Sequence, residues 1–429
     1  MASEGFIQFI WKYKLYSGKS LNTNCGEKLE ILNPGEQNFH AGPDFFNAMI
    51  RFGRMVWAGN VEIHNRASDW YRHGHHLNPD YNNVILHVVG EYDTDVTNSL
   101  GRRIQTMVPE YNLTLLLRYD ILKRSENWLP CGDYIGDIPI PKLKLWLSTL
   151  QAERAVQKKL RIERILCDPA KSLDEALYLA LAPGYGIPLN SLPFELLVKG
   201  VPYKRLIEYR DNLHDLEAVL FAHSGLLQPA RDLGPYPSSL WNRHLELKKV
   251  FIEKPLPGHL WKFLRLRPPS FPTLRISQFA SLIHNRFPLA EPILASASMG
   301  EMEQIFRTGA GEYWTNHYLF GKSSPPIPKF PGEQFITTLI INVIIPFLSA
   351  LEKQGGNSRS RLDAAEILFH LKGESNQIIK NWSKFGIRLN NAGETQALLQ
   401  LYNVYCKQKR CLDCQLGRYL LEASLHEKK

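Results

Sequence analysis

Cysteine is scarce in this chain, at six residues in 429. The start, MASEGFIQFIWKYKLY, carries an early acid, aromatics and two lysines where an export signal would carry an apolar core and a cleavage site. A disulfide framework is therefore not expected, and the thiols read as reduced, in a cytoplasmic protein. Uninterrupted apolar runs of bilayer length are also missing. The longest, FITTLIINVIIPFLSA over Phe335–Ala350, is short and broken by Thr, Asn and Pro, so it reads as a buried core helix and no membrane partner is expected. No phosphate-cradling Walker loop, dinucleotide fingerprint or Ser-His-Asp pattern occurs, which argues against the nucleotide-dependent and serine-hydrolase classes. What remains is a folded composition, 44% hydrophobic and 22% charged, on a chain too long for one ordinary core, so two or three domains are expected.

Charge is divided unevenly. The first 120 residues hold 11 Lys+Arg against 13 Asp+Glu, and the remainder holds 40 against 29, so all of the net charge of +9 lies downstream. A carboxylate-bearing domain joined to a basic one suits a protein that handles a polyanion such as nucleic acid.

The stretch AGPDFFNAMIRFGRMVWAGNVEIH, Ala41–His64, carries the most chemistry. Phe46, Ala48, Ile50 and Phe52 alternate with Asn47, Met49 and Arg51, which predicts a strand starting at or just after Asp44. A turn at Gly53-Arg54 and a second strand, Met55 to Ile63, follow. Side chains alternate along a strand, so Glu62 and His64 share a face. If the two strands pair, Asp44 and Glu62 meet at one end. Adjacent carboxylates repel unless a hard divalent cation lies between them, which points to Mg²⁺ or Mn²⁺.

Around this hairpin the chain predicts a helix over Gly5–Leu15 capped by Ser3, a strand over Lys28–Leu32, a short helical or irregular segment from Ser68 with Trp70 as a core plug, a buried strand over Val84–Val89, and a further strand near Arg103–Val108. In that order, with Pro43-Asp44 and Glu62-Ile63-His64 in place, residues Glu4–Glu110 resemble the PD-(D/E)xK, restriction-endonuclease-like nucleases. The resemblance implies a nuclease-type α+β or α/β fold, Asp44 and Glu62 as metal ligands, and His64 at the position of the catalytic Lys. It also implies an upstream acid, for which Glu27 and Glu30 are candidates and Glu30, on the first strand, is preferred. His in place of Lys offers a neutral base, a third metal ligand or, at low pH, a cation. The whole chain further resembles a bacterial family of unknown function, through IWKYKLY, GPDFFNA, GNVEIH, SDWYRHGHH, NNVILHVV, WKFLRLRPPSFPTLR, YWTNHY and CLDCQLG.

Domain boundaries are expected at 1–120 for the nuclease-like domain, 121–140 for a connecting segment rich in Pro and Gly, and 141–429 for a larger all-α domain. Helical patterns recur downstream over Lys142–Leu166, Asp174–Leu181, Phe194–Val198, Leu216–Phe221 and Leu240–Phe251. In WKFLRLRPPSFPTLR, Lys262, Arg265, Arg267 and Arg275 alternate with aromatic and aliphatic residues. Arginine grips phosphate and aromatics stack on bases, so these four cations are the expected nucleic-acid contacts, with a loop whose arginines pair with carboxylates as the competing reading.

Cys406-x4-Cys411-x2-Cys414 suits Zn²⁺ or an iron–sulfur cluster, with ordinary core cysteines as the alternative. By the nuclease resemblance, which includes members with one cysteine distant from three C-terminal ones, Cys131 is the first candidate for a fourth ligand. Cys25, Cys167 and His426 are the others. A helix would carry Cys406 away from the other two unless it breaks near Lys407–Arg410. The histidines of HGHH, His73, His75 and His76, lack the i,i+4 spacing of zinc hydrolases and read as surface and hydrogen-bonding residues. The expected function is a Mg²⁺- or Mn²⁺-dependent nuclease, DNA being the favoured substrate. The alternative is a catalytically inactive nuclease-fold protein that binds nucleic acid or acts as a scaffold.

Overall fold

Ser3 opens the first helix, α1 (Glu4–Lys12), by accepting the Phe6 amide on its hydroxyl at 3.3 Å. That bond satisfies one of the donors a helix start leaves free. The computed structural model describes the chain apart from residues 1, 18–20, 39, 228–233, 248–253, 356–363, 388 and 424–429. Helix α1 buries Phe6, Ile7, Phe9, Ile10 and Trp11 and leaves Glu4 and Gln8, one turn apart, on its other side.

Seven strands follow: β1 (Leu21–Asn22), β2 (Lys28–Asn33), β3 (Glu36–Gln37), β4 (Phe45–Phe52), β5 (Met55–Arg66), β6 (Val84–Glu91) and β7 (Gln105–Met107). They form one mixed sheet in the order β1-β2-β4-β5-β6-β7, with β3 paired to β4. Pairing is antiparallel from β1 to β5 and parallel for β5–β6 and β6–β7. The crossover between β5 and β6 holds a short helix, α2 (Asp69–Arg72), and Trp70 plugs the core there, fully buried, its indole N–H bonded to Thr97 O at 2.9 Å.

The hairpin contains an irregularity that places the site. From the turn outward, Phe52 pairs with Met55 and each step holds register to Ala48↔Gly59, but the next pair is Phe45↔Val61. Strand β4 thus carries one extra residue at Phe46–Asn47, a β-bulge, and Asn47 takes φ 57°. Its amide donates to Asn60 Oδ1 at 3.4 Å. Continuing the shifted register sets Asp44 opposite Glu62.

The segment expected to connect the domains is more regular than its composition implies. A helix, α3 (Leu113–Arg124), begins at Asn112, whose side chain accepts the Thr114 amide at 2.8 Å. It buries Leu115, Tyr119 and Leu122, and Tyr119 meets Phe6 of α1 edge-on at 5.1 Å. The chain divides into Met1–Trp146 with Leu401–Lys429, and Leu147–Gln400. The C-terminal residues therefore group with the sheet, not with a continuous helical domain over 141–429. Tyr13 OH reaches Leu412 O at 3.4 Å and Arg118 Nη1 reaches Leu420 O at 3.1 Å, contacts no local pattern announces.

The second unit is mostly helical. Its core gathers residues from Leu173–Tyr185, Ile187–Gly200, Leu213–Ser224 and Pro272–Arg286, including Tyr178, Tyr185, Phe194, Phe221 and Phe279. The expected helix Leu240–Phe251 occurs as Pro235–Leu247, its end lying outside the described residues. Glu333–Glu352 is the one stretch among the described residues long and apolar enough to cross a membrane, and with 67% of its most apolar window buried it serves as a core helix of this unit.

The bulge generates a prediction. Asn47 is exposed, so a substitution there tests backbone strain with little change in packing. Asn47→Gly is expected to leave the urea midpoint near wild type, whereas Asn47→Val should cost about 1–2 kcal/mol, because a β-branched residue resists positive φ. Equal midpoints for the two variants would contradict a strained bulge.

Candidate metal centre

Asp44 and Glu62 meet at one end of the hairpin. The Asp44 amide donates to Glu62 Oε2 at 3.0 Å, and Asp44 Oδ2 accepts the Ile63 amide at 2.9 Å. Gln8 of α1 donates its Nε2 to Asp44 Oδ1 at 3.0 Å. Burial pushes the Asp44 carboxyl up to about 7, and the Glu62 charge adds to the rise. Burial likewise pushes Glu62 up to about 8, against the lowering effect of the Asp44 amide. Glu4, half-buried at the start of α1, raises both and is itself raised by burial. Three carboxyl groups thus crowd one pocket, all raised, and Asp44 and Glu62 hold protons near neutrality when no cation is present.

Histidines complete the pocket. His64 shares the Glu62 face of β5, and Glu62 pairs with His87 across the parallel β5–β6 ladder. His64 Nδ1 lies 2.8 Å from His87 Nε2. Its other nitrogen, Nε2, lies 3.4 Å from Glu62 Oε1 and 3.1 Å from His73 Nδ1. His75 Nε2 is 3.2 Å from Glu62 Oε1, and its ring stacks on Tyr81 at 3.8 Å. Burial lowers His64 to about 2 and His87 to about 3, and neighbouring imidazoles deepen both shifts; burial lowers His75 as well. These rings are therefore neutral, and the His64–Glu62 contact is not an ion pair. One ring nitrogen from each of His64, His73 and His75 lies within 4.8 Å of the other two. His73 is exposed while His64 and His75 are buried, so the cluster reaches solvent through His73.

The structure brings Asp44, Glu62 and His64 together as a unit but not Glu30. That residue stands on β2, paired in the ladder to Arg51 near the far end of β4, and its carboxylate bonds the Arg51 guanidinium in solvent. Seven residues of strand separate Asp44 from Arg51, roughly 23 Å at about 3.3 Å per residue. Glu30 is accordingly removed from the site, and Glu4 is the additional acid beside it. Glu4 and Gln8 are legible as a polar i,i+4 pair on an otherwise apolar helix. The zincin spacing rule passes over His73 and His75 because it assumes one continuous helix. Here α2 ends at Arg72, Gly74 takes φ 74°, and the chain turns back before His75.

Of the four expected nucleic-acid contacts, Lys262, Arg265 and Arg267 are exposed on one loop. That loop is rooted by buried Trp261, whose indole N–H meets Ser224 O at 2.7 Å, and by Asn190, which bonds the Lys262 amide and carbonyl at 2.8 and 2.9 Å. Arg275 is not with them. It is 5% exposed on helix Pro272–Arg286, bonds Gln278 Oε1 at 2.9 Å and lies 3.6 Å from the Phe335 ring centroid. Burial lowers it to about 10, and it cannot present its guanidinium to a phosphate.

Cys131, Cys406, Cys411 and Cys414 are all buried free thiols. Burial raises Cys131 and Cys406, and Cys411 and Cys414 add to both shifts, as Cys131 does to that of Cys406, so the four are neighbours. Their sulfurs are not among the donor sets lying within 4.8 Å of one another in the described residues. The expected helix break occurs, as a turn over Lys407–Lys409 with Lys409 at φ 53°. Arg410 pairs with Asp413 at 3.1 Å, so Lys409 is the cation that eases Cys411. Gly417 packs against the next turn, which begins at Cys411, where a Cβ would come within 2.1 Å of Cys411 O. Cys25 and Cys167 are exposed, and His426 lies outside the described residues.

These features define a class: a mixed-sheet unit with a buried carboxylate–imidazole cluster, followed by a mostly helical unit. Residues 4–377 match the family described as "Protein of unknown function (DUF2851)", and the chain belongs to that family. No curated protein and no solved structure matches it.

Proposed function

We propose that the first unit is a divalent-metal-dependent hydrolase of phosphodiester bonds in nucleic acid, DNA being the favoured substrate. The observation that carries this reading is the convergence of Glu4, Asp44 and Glu62 with neutral His64 in one pocket. The order of helix, strands and crossover around them supports the PD-(D/E)xK resemblance. A divalent ion beside Glu62 and Asp44 offsets their repulsion, lowers the pKa of a bound water and stabilises charge on the phosphate. Neutral His64 supplies a lone pair to ion or water, in place of the fixed charge of a Lys. Lys262, Arg265 and Arg267 form a loop that suits backbone phosphates.

With Mg²⁺ or Mn²⁺, wild-type protein is expected to cleave a nucleic-acid substrate, and Asp44→Asn to slow cleavage by at least about 100-fold, the scale of removing one strong electrostatic interaction at a reacting centre. No turnover by wild type on single- or double-stranded DNA or on RNA would overturn this in favour of the non-catalytic binding or scaffold reading.

Replacing Lys262, Arg265 and Arg267 by alanine should flatten the dependence of log K on log salt by about 0.9 for each duplex phosphate that the loop no longer neutralises. An unchanged slope would remove this loop from the interface.

We also infer that Cys131, Cys406, Cys411 and Cys414 hold a thiolate-preferring centre, Zn²⁺ or an iron–sulfur cluster. Four soft donors from two distant segments are the number a closed structural site uses, and the binding energy of an ion among them would staple residues 401–423 to the sheet unit. Protein purified without oxygen should contain stoichiometric zinc, or iron with acid-labile sulfide, and lose it in Cys131→Ser. Absence of both metals together with four titratable buried thiols would leave ordinary core cysteines.

A further inference from the structure

We propose that the pocket on the sheet holds a nitrogen-preferring transition-metal ion of the Zn²⁺ type, bound by ring nitrogens of His64, His73 and His75, with Glu62 Oε1 beside His64 and His75. This rests on the reading of the pocket as a metal centre and replaces the hard Mg²⁺ that paired carboxylates alone imply.

Donor spacing is the first argument. Ions with bonds of about 2.0–2.1 Å hold neighbouring ligands about 3.0–3.4 Å apart. Here Glu62 Oε1 stands 3.4 Å from His64 Nε2 and 3.2 Å from His75 Nε2, and His73 Nδ1 stands 3.1 Å from His64 Nε2. Hydrogen bonding alone serves this arrangement poorly. A neutral imidazole has one N–H and one lone pair. If His64 Nε2 accepts from His73, its lone pair also faces the Glu62 oxygen; if it donates to Glu62, it must share that proton with His73. If Glu62 holds the proton, its one O–H serves either His64 or His75 and leaves the other contact without a hydrogen. An ion among the three imidazoles lets their lone pairs point inward.

Chemistry of the remaining atoms is the second argument. Both Asp44 oxygens are taken by protein donors, Gln8 Nε2 and the Ile63 amide, and Glu62 Oε2 is taken by the Asp44 amide. Glu62 Oε1 is thus the carboxylate oxygen of this pair turned to the imidazoles, which leaves three nitrogens to one oxygen. Mg²⁺ demands oxygen ligands and water, whereas imidazole suits zinc and its neighbours. Asp44 becomes a positioning residue that fixes Glu62 through its amide. His87 has the same part toward His64, holding Nδ1 at 2.8 Å so that Nε2 is presented.

The local backbone is the third. His73 caps α2, and Gly74 at φ 74° reverses the chain so that His75 returns to the ring of His64, stacked at 5.2 Å. A Cβ at Gly74 would meet no atom within 4 Å, so the glycine answers to its backbone angle and not to crowding.

Full-length Cys131→Ser protein, in which the cysteine set is disabled, should after stripping with a chelator still bind one Co²⁺, standing in for Zn²⁺, with visible d–d absorption and without thiolate charge transfer. His73→Ala, an exposed change, should weaken this binding by more than about tenfold with the urea midpoint unchanged, since even outer-shell changes cost 10–100-fold. Excess Mg²⁺ should not displace the ion. Absence of the nitrogen–oxygen Co²⁺ spectrum, affinity unaltered in His73→Ala, or displacement by Mg²⁺ would each overturn the inference. Co²⁺ bound without nucleic-acid cleavage sustains this centre and sinks the phosphodiesterase reading, while Mg²⁺-supported cleavage without a Co²⁺ site does the reverse.

Discussion

The two-residue turn at Gly53-Arg54 sets a register in which an unbroken ladder would leave Asp44 opposite Ile63. Opposite residues of an antiparallel pair share a face, and Ile63 points into apolar packing, fully buried. Asp44 would then lie on the wrong side of the sheet from Glu62. The extra residue at Phe46–Asn47 moves the pairing to Phe45↔Val61 and so brings Asp44 onto the Glu62 face. Each later feature of the pocket presupposes that shift: the amide–carboxylate bonds between the two strands, the reach of Gln8 from α1, and the approach of His87 from β6.

Bringing two carboxyl groups together in a buried place has an electrostatic cost, and the surroundings answer it unequally. Backbone amides of Asp44 and Ile63 and the side chain of Gln8 stabilise the charged forms, yet burial outweighs them and both groups remain raised. The histidines do not help as cations, because burial and mutual repulsion keep His64 and His87 neutral. The pocket combines reluctant anions with neutral nitrogen lone pairs, and Arg72, the cation that bears on His64, is paired with Asp69. A cation placed in the pocket would offset the electrostatic cost.

Much of the first unit is legible in the sequence because its signals are local. Ser3 as a cap, alternation from Phe46 to Phe52, the glycine turn and the apolar run Val84–Val89 each act over a few residues, and each element forms where those signals lie. The bulge is not legible, since Asn47 tolerates positive φ without requiring it. Glu30 attracts attention as the extra acid through its place on a strand, but strand position says nothing of distance along the ladder. Composition groups Arg275 with its neighbours. The helix that begins at Pro272 turns it inward, onto Phe335 and Gln278, whereas Lys262, Arg265 and Arg267 precede that helix on the surface.

The first unit therefore carries two donor sets of opposite character, and their settings differ as their chemistry does. The four cysteines are all buried, Cys131 ahead of the short turn Gly132–Asp137, Cys406 at the end of Leu401–Cys406, and Cys411 against Gly417. A closed sulfur site, were these thiols to form one, would hold chain segments together. The imidazole–carboxylate set instead has one exposed donor, His73, on a turn held by a glycine, and it lies beside acids that burial leaves near their proton-transfer range. A ligand set open on one side leaves room for water or substrate at the ion. If both sets are filled, the thiols would fix the shape of the unit and the histidines would face what it acts upon.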